Sequence, residues 1–438
     1  MTGKTVAVVG GGAAGVLATR ELLRCSDDRV VLIEPDAPGG GLAYGSARPW
    51  HLLNSRAGAM SADPADPSDF ARWAECSPAS FQPRATYGRY LSDVFARTAL
   101  SYGDRLEVVQ DRAVRLGPPS SGPPSSGPLS CGTLSSGTLR RIYTEKSGQI
   151  AADEVVVATG NPAAAQPFPL RDHPDYIADP WRPGVLESIP SDVPVLLVGA
   201  GLTAVDVVLT LTADGNRDAP VTAVSRRGQL PLSHISEVPP AIDLRLAECR
   251  NLRDLVRAVR VAAAGAEDWR AVVDGLRPSI DRIWTSLTEA EQETFLRHLA
   301  RPWECHRHRM APSVGARVDA LRDEGRFEVR AGGIRSVTAP PAGGVLVELE
   351  AGVQWFGAVV NCAGPGRLPA SAGAFVNSLL NDGHARIGPH GLGLDIDVQG
   401  RIADNLWLIG PLRRGRSWET TAVPEIRSQA RALIDRHK

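Results

Sequence analysis

The first pattern that could do chemistry is a glycine-rich turn near the start of the chain. Gly10, Gly12 and Gly15 have the spacing G-x-G-x-x-G, after an apolar strand-like run and before a helix-like run. The first glycine permits a tight turn, the second lets the main chain approach a pyrophosphate, and the third lets helix and strand pack closely. The helix start, which includes Ala13 and Ala14, attracts phosphates. The pattern predicts a dinucleotide site, against the alternative of a glycine turn that holds no ligand.

An acidic residue favours the dinucleotide interpretation. Glu34 ends the next apolar run, at residues 30–33. A carboxylate there can accept hydrogen bonds from ribose hydroxyls and repels a 2′-phosphate, which suits NAD or FAD. Because this unit opens the chain and is followed by an Ala158-Thr159-Gly160 turn and a second glycine turn, we predict FAD. Thr159 and Gly160 are predicted to contact it.

A second turn of the same type lies near residue 200. Gly199, Gly201 and Ala204 repeat the spacing after an apolar run, with alanine in the third glycine position. Leu202 and Thr203 would open the helix that follows, so the same phosphate-binding argument applies.

Arginine stands at the tip of the next strand in place of an acid. The run 221–224 ends in Ser225, Arg226 and Arg227. Since arginine gives a charged, bidentate grip on phosphate, this pattern favours the 2′-phosphate of NADPH over NADH. The alternative is a pair of solvated arginines in an arginine-rich chain.

These turns need strands and helices to position them. The order strand, glycine turn, helix, strand occurs over residues 4–36 and again over 194–228. The sequence therefore predicts an α/β fold with two Rossmann-like dinucleotide-binding domains, each built on a largely parallel sheet.

The predicted domain bounds follow from the two openings. We expect a discontinuous FAD-binding domain at residues 1–190 plus 335–438, and an NADPH-binding domain at 191–334. A helical insertion at about residues 240–324 belongs to the second. The Gly/Pro/Ser low-complexity tract at 117–138 is expected to be a loop without a catalytic role.

Composition narrows the class of protein. The chain has 438 residues, 43% of them hydrophobic, and a formal net charge of −1. Nothing in this balance suggests a nucleic-acid or membrane partner. Six scattered cysteines without a CxxC pair, and no recognisable signal peptide, lead us to expect a cytoplasmic protein without disulfides.

Two polar groups are further candidates. His306, Arg307 and His308, with Arg309, could hold a substrate carboxylate or a nucleotide phosphate. The alternatives are a salt-bridged surface loop and, less favoured, a zinc site with Cys305, so we expect no metal. Three residues, Thr420, Thr421 and Ala422, open a predicted C-terminal helix whose N–H groups could stabilise negative charge on a reduced flavin.

Several stretches together resemble a known family. The chain is similar to the FAD/NAD(P)-binding flavoproteins that include amino-acid N-hydroxylases such as the nitrosuccinate synthases. The resemblance is carried by residues 10–15, 41–45 with 51–54, 199–204 with 225–227, 303–309, 363–364, and 408–411 with 418–422. It implies reduction of FAD by NADPH, followed by reaction with O2 and a small-molecule substrate.

The resemblance also suggests site residues. It places His51 and Asn54 beside the flavin ring as catalytic candidates, against the alternative of ordinary loop packing. Other residues that we expect to bind cofactor are Tyr44, Met60, Ser61, Gly364, Gly410 and Pro411. Two departures are visible: proline follows Gly410 where many such flavoproteins have aspartate, and the Baeyer–Villiger fingerprint FxGxxxHxxxW is absent.

Three functions stay open on the sequence. The preferred one is an NADPH-dependent FAD monooxygenase that N-hydroxylates a small amino acid or related amine. The second is an NADPH-dependent flavin reductase or dehydrogenase that passes electrons to another acceptor. The third is a non-catalytic sensor that binds FAD and NADPH.

Overall fold

The computed structural model describes residues 3–119, 139–170, 172–237, 239–244, 246 and 249–435. The strands are β1 (Thr5–Val9), β2 (Arg29–Ile33), β3 (Leu106–Val109), β4 (Ala113–Leu116), β5 (Arg140–Thr144), β6 (Gln149–Ala152), β7 (Glu154–Val157), β8 (Tyr176–Ile177), β9 (Val195–Val198), β10 (Val221–Ser225), β11 (Phe327–Ala331), β12 (Ile334–Thr338), β13 (Val345–Leu349), β14 (Gly352–Phe356), β15 (Ala358–Asn361), β16 (Arg401–Ala403) and β17 (Leu406–Leu408).

The α-helices alternate with these strands and with short 3₁₀ helices along the chain. They are α1 (Ala13–Cys25), α2 (Gly41–Gly45), α3 (Asp69–Trp73), α4 (Arg84–Tyr102), α5 (Leu202–Leu211), α6 (Leu252–Gly265), α7 (Trp269–Leu276), α8 (Ile280–Ser286), α9 (Glu289–His298), α10 (Ala300–Arg307), α11 (Pro312–Asp323), α12 (Ala374–Asn381) and α13 (Val423–Ala432).

The chain divides into two compact units. The first unit takes residues 1–49, 55–163 and 365–438. Its main sheet has the order β16-β17-β7-β1-β2-β3, and all neighbours pair in parallel except β16 with β17. Every residue of β1 and β7 is buried. Such wholly apolar strands are typical of a parallel sheet covered on both faces.

The second unit takes residues 50–54 and 164–364. Its parallel sheet has the order β11-β10-β9-β15-β8. A three-stranded antiparallel sheet, β12-β13-β14, lies in the same unit. The two glycine turns thus lie in different units, each directly after a buried strand, which confirms the predicted fold class.

The predicted helical insertion is also confirmed. Helices α6 to α11 fill residues 252–323. Helix α9 begins with a capping box, in which Thr288 Oγ1 accepts from the Glu291 amide and the Glu291 carboxylate accepts from the Thr288 amide. This reciprocal pair satisfies main-chain donors that a helix start otherwise leaves unpaired.

The compact units divide the chain at other residues than the predicted domains do. Residues 164–190 and 335–364 belong to the second unit, because β8 and β15 pair in its sheet. The short segment 50–54 belongs to it as well. Of the low-complexity tract at 117–138, residues 120–138 lie outside the described residues.

Candidate functional site

The first glycine turn leaves no room for side chains at two positions. Gly10 has a φ of +105°, and a Cβ there would stand 2.5 Å from the carbonyl oxygen of Ala158. A Cβ on Gly15 would stand 1.8 Å from the carbonyl oxygen of Gly10. The tight turn and the close helix-to-strand approach that the sequence predicts are therefore both present.

Gly12 keeps the mouth of this turn open. It precedes α1 in an extended conformation, and no side chain caps the helix. A Cβ on Gly12 would have one near neighbour, the Cα of Gly41 at 3.7 Å. The N–H groups of Ala13 and Ala14 thus start a helix whose end is free to attract an anion.

Glu34 faces the same turn. It directly follows β2, and its Oε2 accepts a hydrogen bond from the Gly11 amide. Its Oε1 accepts from the Asp36 amide at 3.2 Å. The carboxylate thus lies where an acid can receive the hydroxyls of a ribose.

The ends of two further strands meet at this edge of the sheet. β7 leads into Thr159 and Gly160, and β17 leads into Gly410 and Pro411. Gly410 has a φ of +92°, and a Cβ there would lie 3.5 Å from the Cβ of Ala14. The structure therefore brings these four predicted contacts to the carboxyl edge of one parallel sheet, where such folds bind ligands.

The C-terminal segment contributes a buried hydroxyl. Thr420 is fully buried, and its Oγ1 has no hydrogen-bond partner among the described residues. A buried hydroxyl without a partner costs free energy, so a bound molecule that accepts a hydrogen bond from Thr420 Oγ1 would satisfy it. Thr421 is exposed, and Ala422 is the N-cap of α13. Pro424 in the first turn of α13 removes one N–H donor.

Three other predicted cofactor contacts lie in the first unit. The Tyr44 ring packs edge-on against Tyr87, with centroids 4.9 Å apart. Met60 and Ser61 are buried. The Ser61 hydroxyl donates to carbonyl oxygens of its own loop, to Asp66 at 2.6 Å. Because its hydroxyl is occupied, Ser61 would contact a cofactor through its main chain. The cofactor contacts of Tyr44, Met60 and Ser61 stay predictions.

The second glycine turn repeats the geometry of the first. Gly199 has a φ of +115°, and a Cβ there would stand 2.4 Å from the carbonyl oxygen of Cys362. Gly201 precedes α5 without a side-chain cap, as Gly12 precedes α1. Leu202 and Thr203 start α5, and Ala204, fully buried, takes the third position. Burial raises the pKa of the Cys362 thiol, consistent with a core residue and not a nucleophile.

The tip of β10 carries exposed positive charge. The Ser225 hydroxyl accepts from the Gly228 amide at 3.1 Å and so shapes the loop. Arg226 and Arg227 are exposed, and neither forms an ion pair with a described residue. Gly364, with a φ of +78°, follows β15 beside this turn and has open space around its Cβ position.

Segment 50–54 is anchored within the second unit. The His51 ring is buried, and its Nε2 lies 2.9 Å from Thr210 Oγ1 and 3.1 Å from the carbonyl oxygen of Asp206, both on α5. The ring nitrogen Nε2 of His234 lies 3.1 Å from the carbonyl oxygen of Asn54. The structure thus gives His51 a positioning contact, whereas a role for His51 or Asn54 beside a flavin stays a prediction.

The cluster after Trp303 is mostly helical and partly buried. His306 lies on α10, its Nδ1 is 2.7 Å from the carbonyl oxygen of Pro302, and its ring meets Trp269 edge-on at 4.8 Å. Arg309 is 2% exposed and forms an ion pair with Asp274. Burial lowers the pKa of Arg309. Arg307 and His308 are half-buried between them, so the surface-loop alternative does not describe this segment.

Some residues at these sites carry no motif. Gln429 Oε1 accepts a hydrogen bond from the Gly410 amide at 2.7 Å. Arg301 donates a hydrogen bond to the carbonyl oxygen of Ala200 in the second glycine turn. Each reaches its partner from a distant helix, and no spacing in the sequence reveals such a contact. Trp269, which packs on His306, was missed for the same reason.

The described part of the chain offers neither a metal-binding cluster nor a membrane-spanning helix. It holds no group of three or more His, Cys, Asp or Glu side chains arranged for a metal ion. Within the same residues, no helix has the length and apolarity needed to cross a membrane.

Residues 7–162 match a family model described as FAD-NAD(P)-binding. A search of curated protein sequences found no match. The chain therefore contains a FAD-NAD(P)-binding domain, which agrees with the resemblance found in the sequence.

Solved structures share the fold over nearly the full length of the chain. The FAD-bound cadaverine monooxygenase of desferrioxamine biosynthesis from Erwinia amylovora has a TM-score of 0.68 at 13% identity, covering 99% of this chain and 94% of its own. Kutzneria ornithine N-hydroxylase, with reduced FAD, NADP+ and L-ornithine, has a TM-score of 0.62 at 14% identity, covering 100% of this chain and 99% of its own. Lactococcus lactis thioredoxin reductase has a TM-score of 0.52 at 12% identity, covering 99% of this chain and 97% of its own. The fold is that of flavoproteins that bind two dinucleotides.

Proposed function

We propose that this protein is an FAD monooxygenase that uses NADPH and O2 to hydroxylate the nitrogen of a small amino acid or related amine. One observation carries the proposal. Two glycine turns of equivalent geometry each stand at the carboxyl edge of their own parallel sheet, one facing Glu34 and the other beside Arg226 and Arg227. Two dinucleotides of different charge fit this arrangement.

The residues present fit FAD at the first turn. Gly12 leaves space for a pyrophosphate, Glu34 can receive ribose hydroxyls, and Thr420 holds a buried hydroxyl that needs a partner. FAD, when bound, supplies the redox chemistry with O2. We propose that Thr420 and the start of α13 hydrogen-bond the flavin edge, where Pro411 excludes an aspartate contact.

Substrate binding is proposed for the cluster on α10. Arg309 is buried, and its Nε and Nη1 groups have no hydrogen-bond partner among the described residues. Such donors suit a carboxylate. We propose that His306, Arg307 and His308 complete this anion site, and that Asn54 orients the amine, while His51 holds segment 50–54 against α5.

A reductase is the second candidate. The fold is also shared with thioredoxin reductase, so the fold alone does not select oxygen chemistry. The absence of a CxxC pair from the sequence disfavours a disulfide acceptor. An NADPH-dependent flavin reductase acting on another acceptor is therefore the alternative that an experiment has to exclude.

Oxygen stoichiometry separates the two functions. For FAD-loaded protein with a panel of small amino acids and diamines, we expect one amine to accelerate both NADPH oxidation and O2 uptake. One oxygen atom enters the N–OH product and the other leaves as water. NADPH oxidation that proceeds equally well without O2, given an added acceptor and yielding no hydroxylamine, would support the reductase.

The acid at the first turn should matter for FAD. We expect Glu34→Gln to weaken FAD binding about tenfold, because an uncharged amide is a poorer acceptor for ribose hydroxyls than a carboxylate. Fluorescence titration of the apoprotein with FAD measures this effect. Asp36→Asn removes the same charge from an exposed neighbour and is expected to leave the affinity unchanged.

A further inference from the structure

An arginine from the helical insertion lies across the second glycine turn. Arg301, in the first turn of α10, donates from Nη2 to the carbonyl oxygen of Ala200 at 2.7 Å and to that of Gln229. Ala200 belongs to the glycine turn, and Gln229 follows the Ser225-Arg227 tip. One guanidinium group thus bridges two loops that meet at the candidate nucleotide site.

The rest of this guanidinium has no hydrogen-bond partner among the described residues. Arg301 forms no ion pair with a carboxylate among the described residues, and its Nε and Nη1 donate no hydrogen bond to them. Nη1 lies 3.8 Å from the position that a Cβ on Gly201 would take, and no other side chain from a distant part of the described chain lies within 4 Å of that position. The Nη1 donor therefore faces the space that the second glycine keeps open for a pyrophosphate.

We propose that Arg301 binds the pyrophosphate of the nucleotide at the second turn. The inference rests on the proposed function, since it takes that turn to be a nicotinamide-nucleotide site. Two hydrogen bonds from Nη2 to carbonyl groups hold the planar guanidinium in place, so Nη1 is pre-organised for a phosphate oxygen. The helical insertion thereby contributes directly to cofactor binding.

This role differs from that of the arginines at the strand tip. The pyrophosphate is common to NADPH and NADH, whereas Arg226 and Arg227 are proposed to contact the 2′-phosphate, which NADH lacks. Loss of Arg301 should therefore weaken both nucleotides equally and leave their ratio unchanged. A nucleotide with a 2′-phosphate but no pyrophosphate, 2′-AMP, should not respond to it.

The test is calorimetric titration of the FAD-loaded protein with NADP+, NAD+ and 2′-AMP. We expect Arg301→Gln to weaken NADP+ and NAD+ binding by the same factor, about tenfold to a hundredfold, with 2′-AMP unchanged. Arg301→Lys keeps the charge but loses the forked donor geometry, so its affinity for both nucleotides should lie between those of wild type and Arg301→Gln. Arg297→Gln, at an exposed position of α9, is the matched control and should behave as wild type.

Several results would overturn the inference. Unchanged or tighter NADP+ binding by Arg301→Gln would mean that Arg301 is only structural, or that it closes the turn. If Arg301→Gln weakens the binding of 2′-AMP as much as that of NADP+, Arg301 contacts the adenosine end of the nucleotide and not its pyrophosphate. If the wild-type protein binds neither NADP+ nor NAD+, the proposed function itself fails, and with it the second nucleotide site.

Discussion

Gly15→Ala is expected to remove FAD from the protein and to destabilise it by about 3 kcal/mol. The new methyl group would stand 1.8 Å from the carbonyl oxygen of Gly10, which is main chain and cannot rotate away. Helix α1 must then move off β1, and both the core contact and the phosphate-binding turn are lost. Flavin absorbance of the purified protein and its urea unfolding curve measure the two effects.

Gly12→Ala is the informative comparison within the same turn. A Cβ there meets the Cα of Gly41 at 3.7 Å, an ordinary contact, so the unfolding midpoint should stay close to wild type. The methyl group nevertheless occupies the approach to the pyrophosphate, and FAD affinity should fall at least about tenfold. Wild-type FAD content in both variants would show that this turn does not hold the cofactor.

The second large effect concerns the choice of nicotinamide nucleotide. The double variant Arg226→Gln with Arg227→Gln is expected to weaken NADPH binding about a hundredfold, because it removes the two charge-assisted hydrogen bonds that we propose for the 2′-phosphate. Binding of NADH should be almost unchanged. Rates of anaerobic flavin reduction at varied concentrations of each nucleotide measure the change in preference.

A control isolates position from net charge. Arg253 and Arg257 lie exposed on α6, and replacing both with glutamine removes the same two charges from the same unit. This variant should keep the wild-type preference for NADPH. If the Arg226/Arg227 variant loses affinity for NADH and NADPH alike, the strand tip does not read the 2′-phosphate.

The sequence predicts those parts of the site that depend on local chain geometry. The spacing after an apolar strand identifies Gly10 and Gly199, although the carbonyl groups that crowd them belong to the distant residues Ala158 and Cys362. Glu34 follows from the alternation of strand, turn and helix that places an acid next to the turn. Local spacing is sufficient to identify these residues, but not the distant carbonyl groups that the glycines approach.

Contacts between distant segments could not be predicted in this way. The pairing of β8 with β15 moves residues 164–190 into the second unit, and it depends on which strand edge stays open after the others have paired. Arg301 reaches Ala200 only because α10 packs on the turn. His51 contacts α5 because segment 50–54 belongs to the second unit, which its position in the chain does not reveal.

The proposed function requires one chain to hold two dinucleotides at the same time, in two separate turns. Native mass spectrometry of the FAD-loaded protein after addition of NADP+ measures this occupancy. We expect a species with the mass of the chain plus one FAD and one NADP+, while Gly199→Ala should keep FAD and lose NADP+. A wild-type protein that releases FAD as NADP+ binds, or that never carries more than one nucleotide, would contradict the account.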